Sequence, residues 1–303
     1  MTLVIAHQIE DRIILCADTM ITKPNDRGNN LIPGALKAVI VDMQMTIAFA
    51  GHHYISLSAI RSCRDLVKRG CQLNEIFEFL RTATEEHDCE FLVASHLRGA
   101  ELRKVASGTV SNPQTTLWVG SASGVRAIIE RWDMLRDLRI NARAFSTRSN
   151  GKELSRIDIE EGDFKMAFGF AIASQIEIAE GVGGMSVECL AYPNGHTYSN
   201  NGQSVDFSTI RLSRGSVETD QFTNFGGQSS WGFSNVSSNH RGVAVHGMWI
   251  SHAQVGYIYD PLFDDEPHLV RGCDLSNFAE MVRARAARQG GVPESEIVRA
   301  SSI

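Results

Sequence analysis

Apolar positions fall in two patterns along the chain, short unbroken runs and runs at helical spacing. Leu3-Val4-Ile5-Ala6 and Ile13-Ile14-Leu15-Cys16-Ala17 are short, nearly continuous apolar runs, separated by a polar stretch from Gln8 to Asp11. Runs of this length, rich in β-branched residues, predict strands, and the lack of alternation predicts cover on both faces. The two strands should form a hairpin. The stretch 23–34 collects Pro24, Asn25, Asp26, Gly28, Asn29, Asn30, Pro33 and Gly34, the composition of a loop. Ala38-Val39-Ile40-Val41 and Met45-Thr46-Ile47-Ala48 predict a second hairpin around Asp42, Met43 and Gln44.

The pattern then changes. Ile55, Ala59, Ile60, Cys63, Leu66 and Val67 recur at helical spacing up to Gly70, a C-cap, and Leu73, Ile76, Phe77, Leu80 and Ala83 mark a second helix. Strands are predicted over 91–94, 101–105 and 116–119. After the turn Gly120-Ser121-Ala122-Ser123-Gly124 comes a helix over 125–138. The stretch 141–161 reads as a polar insertion, 164–176 as a helix of small and apolar residues, and 185–191 as a strand turning back at Asn194-Gly195. From 200 to 239 Ser, Asn and Gly dominate, which reads as a surface insertion. A hairpin over 242–249 and 255–259, a helix over 275–287 and a loose tail complete the chain, and no internal repeat is found.

Composition narrows the function classes. The 303 residues are 43% apolar, ordinary for a soluble globular protein. A formal charge of -6 and a pI of about 5.9 argue against a nucleic-acid surface. No apolar run approaches the length of a membrane span, and no secretory leader pattern opens the chain. The six cysteines are scattered, several within apolar runs and none at metal-ligand spacing. The expectation is a cytoplasmic chain with reduced, buried thiols, no cofactor, no metal, no nucleic acid and no membrane.

The candidate chemistry lies in the first fifty-one residues. Thr2 follows Met1, Asp18 closes the second apolar run, Lys37 stands alone in an apolar stretch, and Gly51 ends Met45-Thr46-Ile47-Ala48-Phe49-Ala50-Gly51. Asp18 lies sixteen residues after Thr2, and Gly51 fourteen after Lys37. Later, Gly120-Ser121 precedes a predicted helix and Gly183-Gly184-Met185 a predicted strand. In element order and in these spacings the chain resembles the proteasome β-subunit and its bacterial two-component (heat-shock) protease relative, both N-terminal-nucleophile (Ntn) hydrolases. The likeness covers 2–199 and is most specific over 2–51. It makes 1–199 an Ntn-hydrolase core and 200–303 a C-terminal extension without a counterpart, expected to pack on that core.

The resemblance implies an α+β fold, a four-layer αββα sandwich. It implies a threonine-type endopeptidase that forms an acyl-enzyme on Thr2 once Met1 is removed and acts on peptide or protein substrates. It also implies a homo-oligomer, a ring or stacked assembly, and leaves room for an ATPase partner. Transferred position by position, Thr2 is the nucleophile, Asp18 fixes Lys37, Gly51 supplies an oxyanion N–H and Ser121 orients the Thr2 amine. The assignment is chemically coherent. A threonine hydroxyl needs an adjacent base, a free α-amine with a pKa of about 7.7–8.0 provides one, and a neighbouring ammonium keeps that amine neutral. On this reading Lys37→Ala costs activity more than stability. Phe49, two residues before the oxyanion glycine, would floor the substrate pocket, with Ile21 lining it and His53 adding a polar edge. That pocket favours small or medium apolar side chains.

The chain departs from the pattern in three places. The loop before Lys37 is three residues longer than usual. Ala179 and Val182 stand where the family has an acidic residue and a serine, and Glu180, one position off, would have to substitute as support. Singly, each site residue also has an ordinary structural reading, as turn, cap or snorkelling side chain, and the joint spacing is what favours catalysis. Two alternatives stay open. One is an Ntn amidase or acyltransferase acting on a small metabolite, with the extension closing the cleft. The other is a catalytically inactive structural homologue.

Overall fold

The structure, a computed structural model, describes residues 2–19, 21–23, 26–30, 34–141, 148–149, 152–153, 155–173, 182, 185–200, 202–206, 230–251 and 253–300. The chain runs β1 (Leu3–Ile9), β2 (Arg12–Asp18), β3 (Ile21–Lys23), β4 (Asp26–Asn30), β5 (Ala38–Asp42), β6 (Met45–Gly51), α1 (His53–Lys68) and α2 (Leu73–Glu86). It continues through β7 (Cys89–Ser95), β8 (Glu101–Ala106), β9 (Thr109–Val110), β10 (Thr116–Gly120), α3 (Ala122–Asn141), β11 (Arg148–Ser149), β12 (Lys152–Glu153) and α4 (Arg156–Ala173). The remainder is β13 (Ser186–Tyr192), β14 (Gly195–Tyr198), β15 (Gly202–Asp206), β16 (Ser230–Ser237), β17 (His240–Arg241), β18 (His246–Ile250), β19 (Val255–Tyr259), β20 (His268–Arg271), α5 (Leu275–Arg288), β21 (Val292–Pro293) and α6 (Glu294–Ala300). The class is α+β.

Three five-stranded antiparallel sheets carry the described core, in the orders β10-β1-β2-β13-β14, β5-β6-β7-β8-β9 and β15-β16-β18-β19-β20. The continuous apolar runs of the first two sheets are explained by double cover. Leu3, Ile5, Ile14 and Cys16 pack with Ile128 and Trp132 of α3 and with Phe164 and Phe168 of α4. Their neighbours of opposite parity, Val4, Ala6, Leu15 and Ala17, pack instead with Ala38, Ile40, Ala48 and Leu92 of the second sheet. The second sheet's other face, with Val39, Ile47, Phe49 and Val93, is covered by Leu57 and Ile60 of α1 and by Ile76 and Leu80 of α2. Because side chains alternate sides along a strand, one unbroken apolar run serves two cores.

The third sheet comes entirely from the region after 200. Met248, Ile250, Val255 and Tyr257 join the cluster shared by the first two sheets. On the other face Trp249 and Ile258 meet Phe278 and Val282 of α5. Gly256 is where α5 comes closest, since a Cβ there would lie 2.2 Å from the Phe278 ring.

Several stretches differ from the sequence reading, among them the 23–34 loop, where β4 pairs with β3. The Ser/Asn/Gly tract supplies β15 and β16 rather than only a surface insertion, and Asn235, Val236, Ser237 and Ser238 within it are buried. Residues 207–229 lie outside the described residues. Helix α4 begins at Arg156, well before 164. A reciprocal cap between Ser155 and Asp158 opens it, and its polar first turns bind Arg12 through Asp158 and Glu161. The tail forms α6, and β21 pairs with β17. Among the described residues no helix is long and apolar enough to cross a membrane.

Burial also sets a pH dependence. His246 is fully enclosed and its pKa is pushed down to about 3, while His196, buried beside Thr46 and His96, is held well below its usual value. Desolvation is the main cause in both cases. The unfolded chain binds these protons near the ordinary value of about 6.5, so both groups contribute stability that is complete above that pH and is lost as pH falls below it. Urea midpoints should therefore drop between about pH 7 and pH 5, and His246→Gln should flatten the drop. A midpoint that holds constant over that interval contradicts the assignment.

Candidate active site

The site forms at one end of the first sheet, where β1 begins. Leu3 is paired with Gly120, which sets Thr2 beside Ser121. The Ser121 N–H donates to the Thr2 carbonyl at 2.8 Å. Gly120 has φ +88°, and a Cβ there would lie 1.9 Å from the Thr2 carbonyl oxygen, so the approach requires glycine. The Gly120 N–H in turn donates to Glu90 Oε2 at 2.8 Å, reaching across from β7, and Lys104 Nζ lies 2.7 Å from Glu90 Oε1. Thr2 itself is buried, at 8% exposure.

Asp18 ends β2 one strand away. Its Oδ1 accepts from the Leu3 N–H at 2.8 Å and from Lys37 Nζ at 2.8 Å. The side chains of this pair are 3% and 0% exposed for Lys37 and Asp18. Burial lowers the Lys37 pKa, while the adjacent carboxylate works in the opposite direction. The backbone delivers Lys37 to this position through Thr19. The Thr19 carbonyl accepts from the Ala35 N–H at 2.7 Å, and Gly34, at φ +64°, passes so close that a Cβ would lie 2.3 Å from the same oxygen. Thr19 Oγ1 also accepts from the Met185 N–H at 2.9 Å, anchoring the start of β13. The Lys37 carbonyl then accepts from the Phe49 N–H at 3.0 Å, which joins it to β6.

Gly51 closes β6 at φ +99°, where a Cβ would lie 2.2 Å from the Asp88 carbonyl oxygen. Its neighbour Ala50 approaches Gly120, so the end of β6 and the start of β1 meet. The structure thus brings Thr2, Asp18, Lys37, Ser121 and the Gly51 end of β6 to one region. The Ser121 hydroxyl is partly committed elsewhere. It accepts from the Gly124 N–H at 3.1 Å, capping α3, and lies 3.1 Å from Ser123 Oγ.

The pocket residues separate. His53 lines a small depression of about 20 Å³ with Leu36, Leu57, Asp260 and Asp265, so the segment between β19 and β20 forms one wall. Burial lowers the His53 pKa. Phe49 is 1% exposed beneath α1, its ring 5.8 Å from that of His53, and is not among the residues lining this pocket. The wall carries four carboxylates, Asp260, Asp264, Asp265 and Glu266, and Glu266 accepts from the Tyr54 hydroxyl. Asp265 pairs with Arg61, and Asp260 and Asp264 pair with Arg285. Ile21 opens β3 but its side chain lies outside the described residues, as do Ala179 and Glu180. Val182 is a core side chain packed with Leu3, Ile5 and Cys16. Among the described residues no group of three or more His, Cys, Asp or Glu side chains could hold a metal ion.

Sequence reasoning missed Thr19, Glu90 and Tyr198. The Tyr198 hydroxyl donates to the Ala38 carbonyl at 2.8 Å and accepts from the Ile40 N–H at 3.3 Å, holding the strand that follows Lys37. Each of these contacts joins positions far apart in the chain, where local periodicity carries no signal.

No protein-family model matches the chain, and no curated protein matches it. Among solved structures, the crystal structure of eukaryotic HslV from Trypanosoma brucei is similar over 62% of this chain and 98% of that one, with 15% sequence identity and a TM-score of 0.44.

The burial of the ion pair gives Lys37 a stability role beside the catalytic one expected of it. Removing one member leaves the other charge buried and uncompensated, at a cost of about 3–5 kcal/mol. Asp18→Asn and Lys37→Met should each show a loss of that order in urea unfolding, and the double variant should lose clearly less than the sum. Additive losses contradict the coupling.

Proposed function

We propose that this chain is an N-terminal-threonine amide hydrolase, a threonine-type peptidase of the proteasome class. We assign it an αββα core of two sheets between two helix layers. The observation that carries the reading is the buried Lys37–Asp18 pair, whose carboxylate is bonded to the amide next to Thr2. With Met1 removed, the Thr2 hydroxyl attacks a substrate carbonyl and passes its proton to the Thr2 α-amine. The nearby Lys37 ammonium disfavours a second positive charge and keeps that amine a base. The Gly51 N–H receives the developing oxyanion. Collapse breaks the C–N bond, the leaving amine takes the proton, and an ester to Thr2 remains. Water, deprotonated by the same amine, then cleaves the ester and restores the hydroxyl. The family's homo-oligomeric assembly is part of this proposal.

A second reading is favoured by the pocket wall. The segment 259–267 walls the space beside Leu36, one residue before Lys37, and on this reading it narrows the approach to Thr2 so that a small amide is the substrate. In either case we propose a small or medium apolar group beside Leu36 and Leu57, where Asp260, Asp264 and Asp265 pair with arginines and Glu266 accepts from the Tyr54 hydroxyl.

A panel of fluorogenic peptides and small acyl amides separates the readings. Thr2→Ala should reduce hydrolysis by about 10³-fold or more, and Thr2→Ser should retain much of it. Unchanged turnover in Thr2→Ala removes Thr2 from the mechanism, and turnover of acyl amides alone favours the second reading. The same panel, varied at the residue before the scissile bond, should show apolar side chains preferred over charged ones. A basic or acidic preference contradicts the pocket assignment.

A further inference from the structure

The third sheet reaches the proposed site through two buried polar side chains set among apolar ones such as Met248 and Ile250. Asn235 on β16 is 4% exposed, and its Nδ2 donates to the Ser186 carbonyl at 2.9 Å. Ser186 begins β13 and is the residue paired with Asp18 across the sheet. The other end of the amide, Oδ1, lies 2.9 Å from Nε2 of His246, which is 0% exposed at the start of β18. Since the amide nitrogen is spent on Ser186, Oδ1 is the acceptor and His246 Nε2 carries the proton. The His246 ring also lies 5.1 Å from the ring of Tyr198, whose hydroxyl binds the Ala38 carbonyl and the Ile40 N–H. One histidine of the extension therefore touches two supports, one behind Asp18 and one just after Lys37.

We infer that Asn235 and His246 are positioning residues for the Asp18–Lys37 pair, making the C-terminal sheet part of the reaction apparatus. Burying an amide and an imidazole in an apolar face is unfavourable unless their hydrogen bonds are met. Here the Asn235 amide donates to the backbone of β13 and is held by the His246 Nε2–H, while His246 Nδ1 has no hydrogen-bond partner among the described residues, so the imidazole is kept at a cost. Valine or isoleucine at Asn235 would pack the sheet equally well without fixing where Ser186, and so Asp18, sits. The inference rests on the proposed function only for its catalytic consequence, because the placement of the pair has a readout of its own.

That readout is the titration of the Lys37 ammonium, followed by NMR in the full chain with labelled lysine. Asn235→Asp keeps the shape but replaces the donor to Ser186 with an acceptor. His246→Leu keeps bulk but removes the donor to Asn235. Either change should loosen β13 behind Asp18 and admit water to the pair. Since burial is the leading cause of the lowered Lys37 pKa, the pKa should rise by at least about half a unit. The hydrolysis kcat should fall about tenfold, its pH profile should shift, and KM should change little. His246→Gln, whose amide can donate to Asn235, should restore the parent titration. Val282→Ala, at the α5 face of the same sheet, should lower the melting temperature and leave Lys37 unchanged. If Asn235→Asp does not fold, Tyr198→Phe serves in its place, losing only the hydroxyl that binds beside Lys37. An unchanged Lys37 titration in the bridge variants overturns the inference, as does an equal shift in Val282→Ala. Should the parent hydrolyse nothing while the Lys37 shift appears, the Thr2 reading falls and the positioning role stands.

Discussion

A carboxylate and an ammonium lie 2.8 Å apart, almost free of solvent, where the strand ends of two sheets meet. Withdrawing two charges from water is costly, and their attraction offsets that cost only when geometry is good and the remaining polar atoms are satisfied. Asp18 meets that condition by accepting from both Lys37 Nζ and the Leu3 N–H. It therefore ties β1, β2 and the segment before β5 together at a single oxygen. Much of the local backbone follows from that constraint. The chain folds back at Gly34 onto Thr19, and Gly120 presses against the Thr2 carbonyl. Both contacts are too close for a side chain. The alanines between the sheets, among them Ala6, Ala17, Ala38 and Ala48, suit the same close approach.

The extension follows a different physical logic on each of its faces. Toward α5 it is an ordinary apolar core, with Phe278 seated against Gly247 and Gly256. Toward the first two sheets it combines apolar cover from Met248, Ile250 and Tyr257 with the Asn235–His246–Tyr198 contacts. Apolar burial supplies most of the adhesion, because it is nondirectional and scales with area. The polar contacts add little net stability, since each replaces a bond to water, but they specify one arrangement among many similar ones.

Most strands and helices of the first 138 residues are readable, the strands as short apolar runs and the helices by their spacing, whereas β4 lies in a stretch of loop composition. The Asp18 and Lys37 positions were readable through their spacing from Thr2 and Gly51. What was hidden was long-range or compositional. The Ser/Asn/Gly tract resembles a loop, yet β16 forms in it because a neighbouring strand and Ser186 satisfy its polar groups. The start of α4 was masked by its polar first turns, which are polar because they bind Arg12. Thr19, Glu90 and Asn235 look like ordinary surface residues in the sequence, and only the fold brings them to Met185, Gly120 and Ser186. Phe49 lies two residues before Gly51, the position expected to floor a substrate pocket, and its strand parity turns it toward α1.

Under the proposed function Thr2 carries the reacting hydroxyl and its own α-amine serves as base, held by the Asp18–Lys37 pair. The most direct measurement is intact and fragment mass spectrometry of the purified protein after reaction with a peptide epoxyketone. That electrophile forms a ring only with a hydroxyl and an amine on the same residue. The account predicts a chain lacking Met1, with the adduct mapped to Thr2. Retained Met1 with no adduct, or an adduct carried instead by a cysteine, would contradict it.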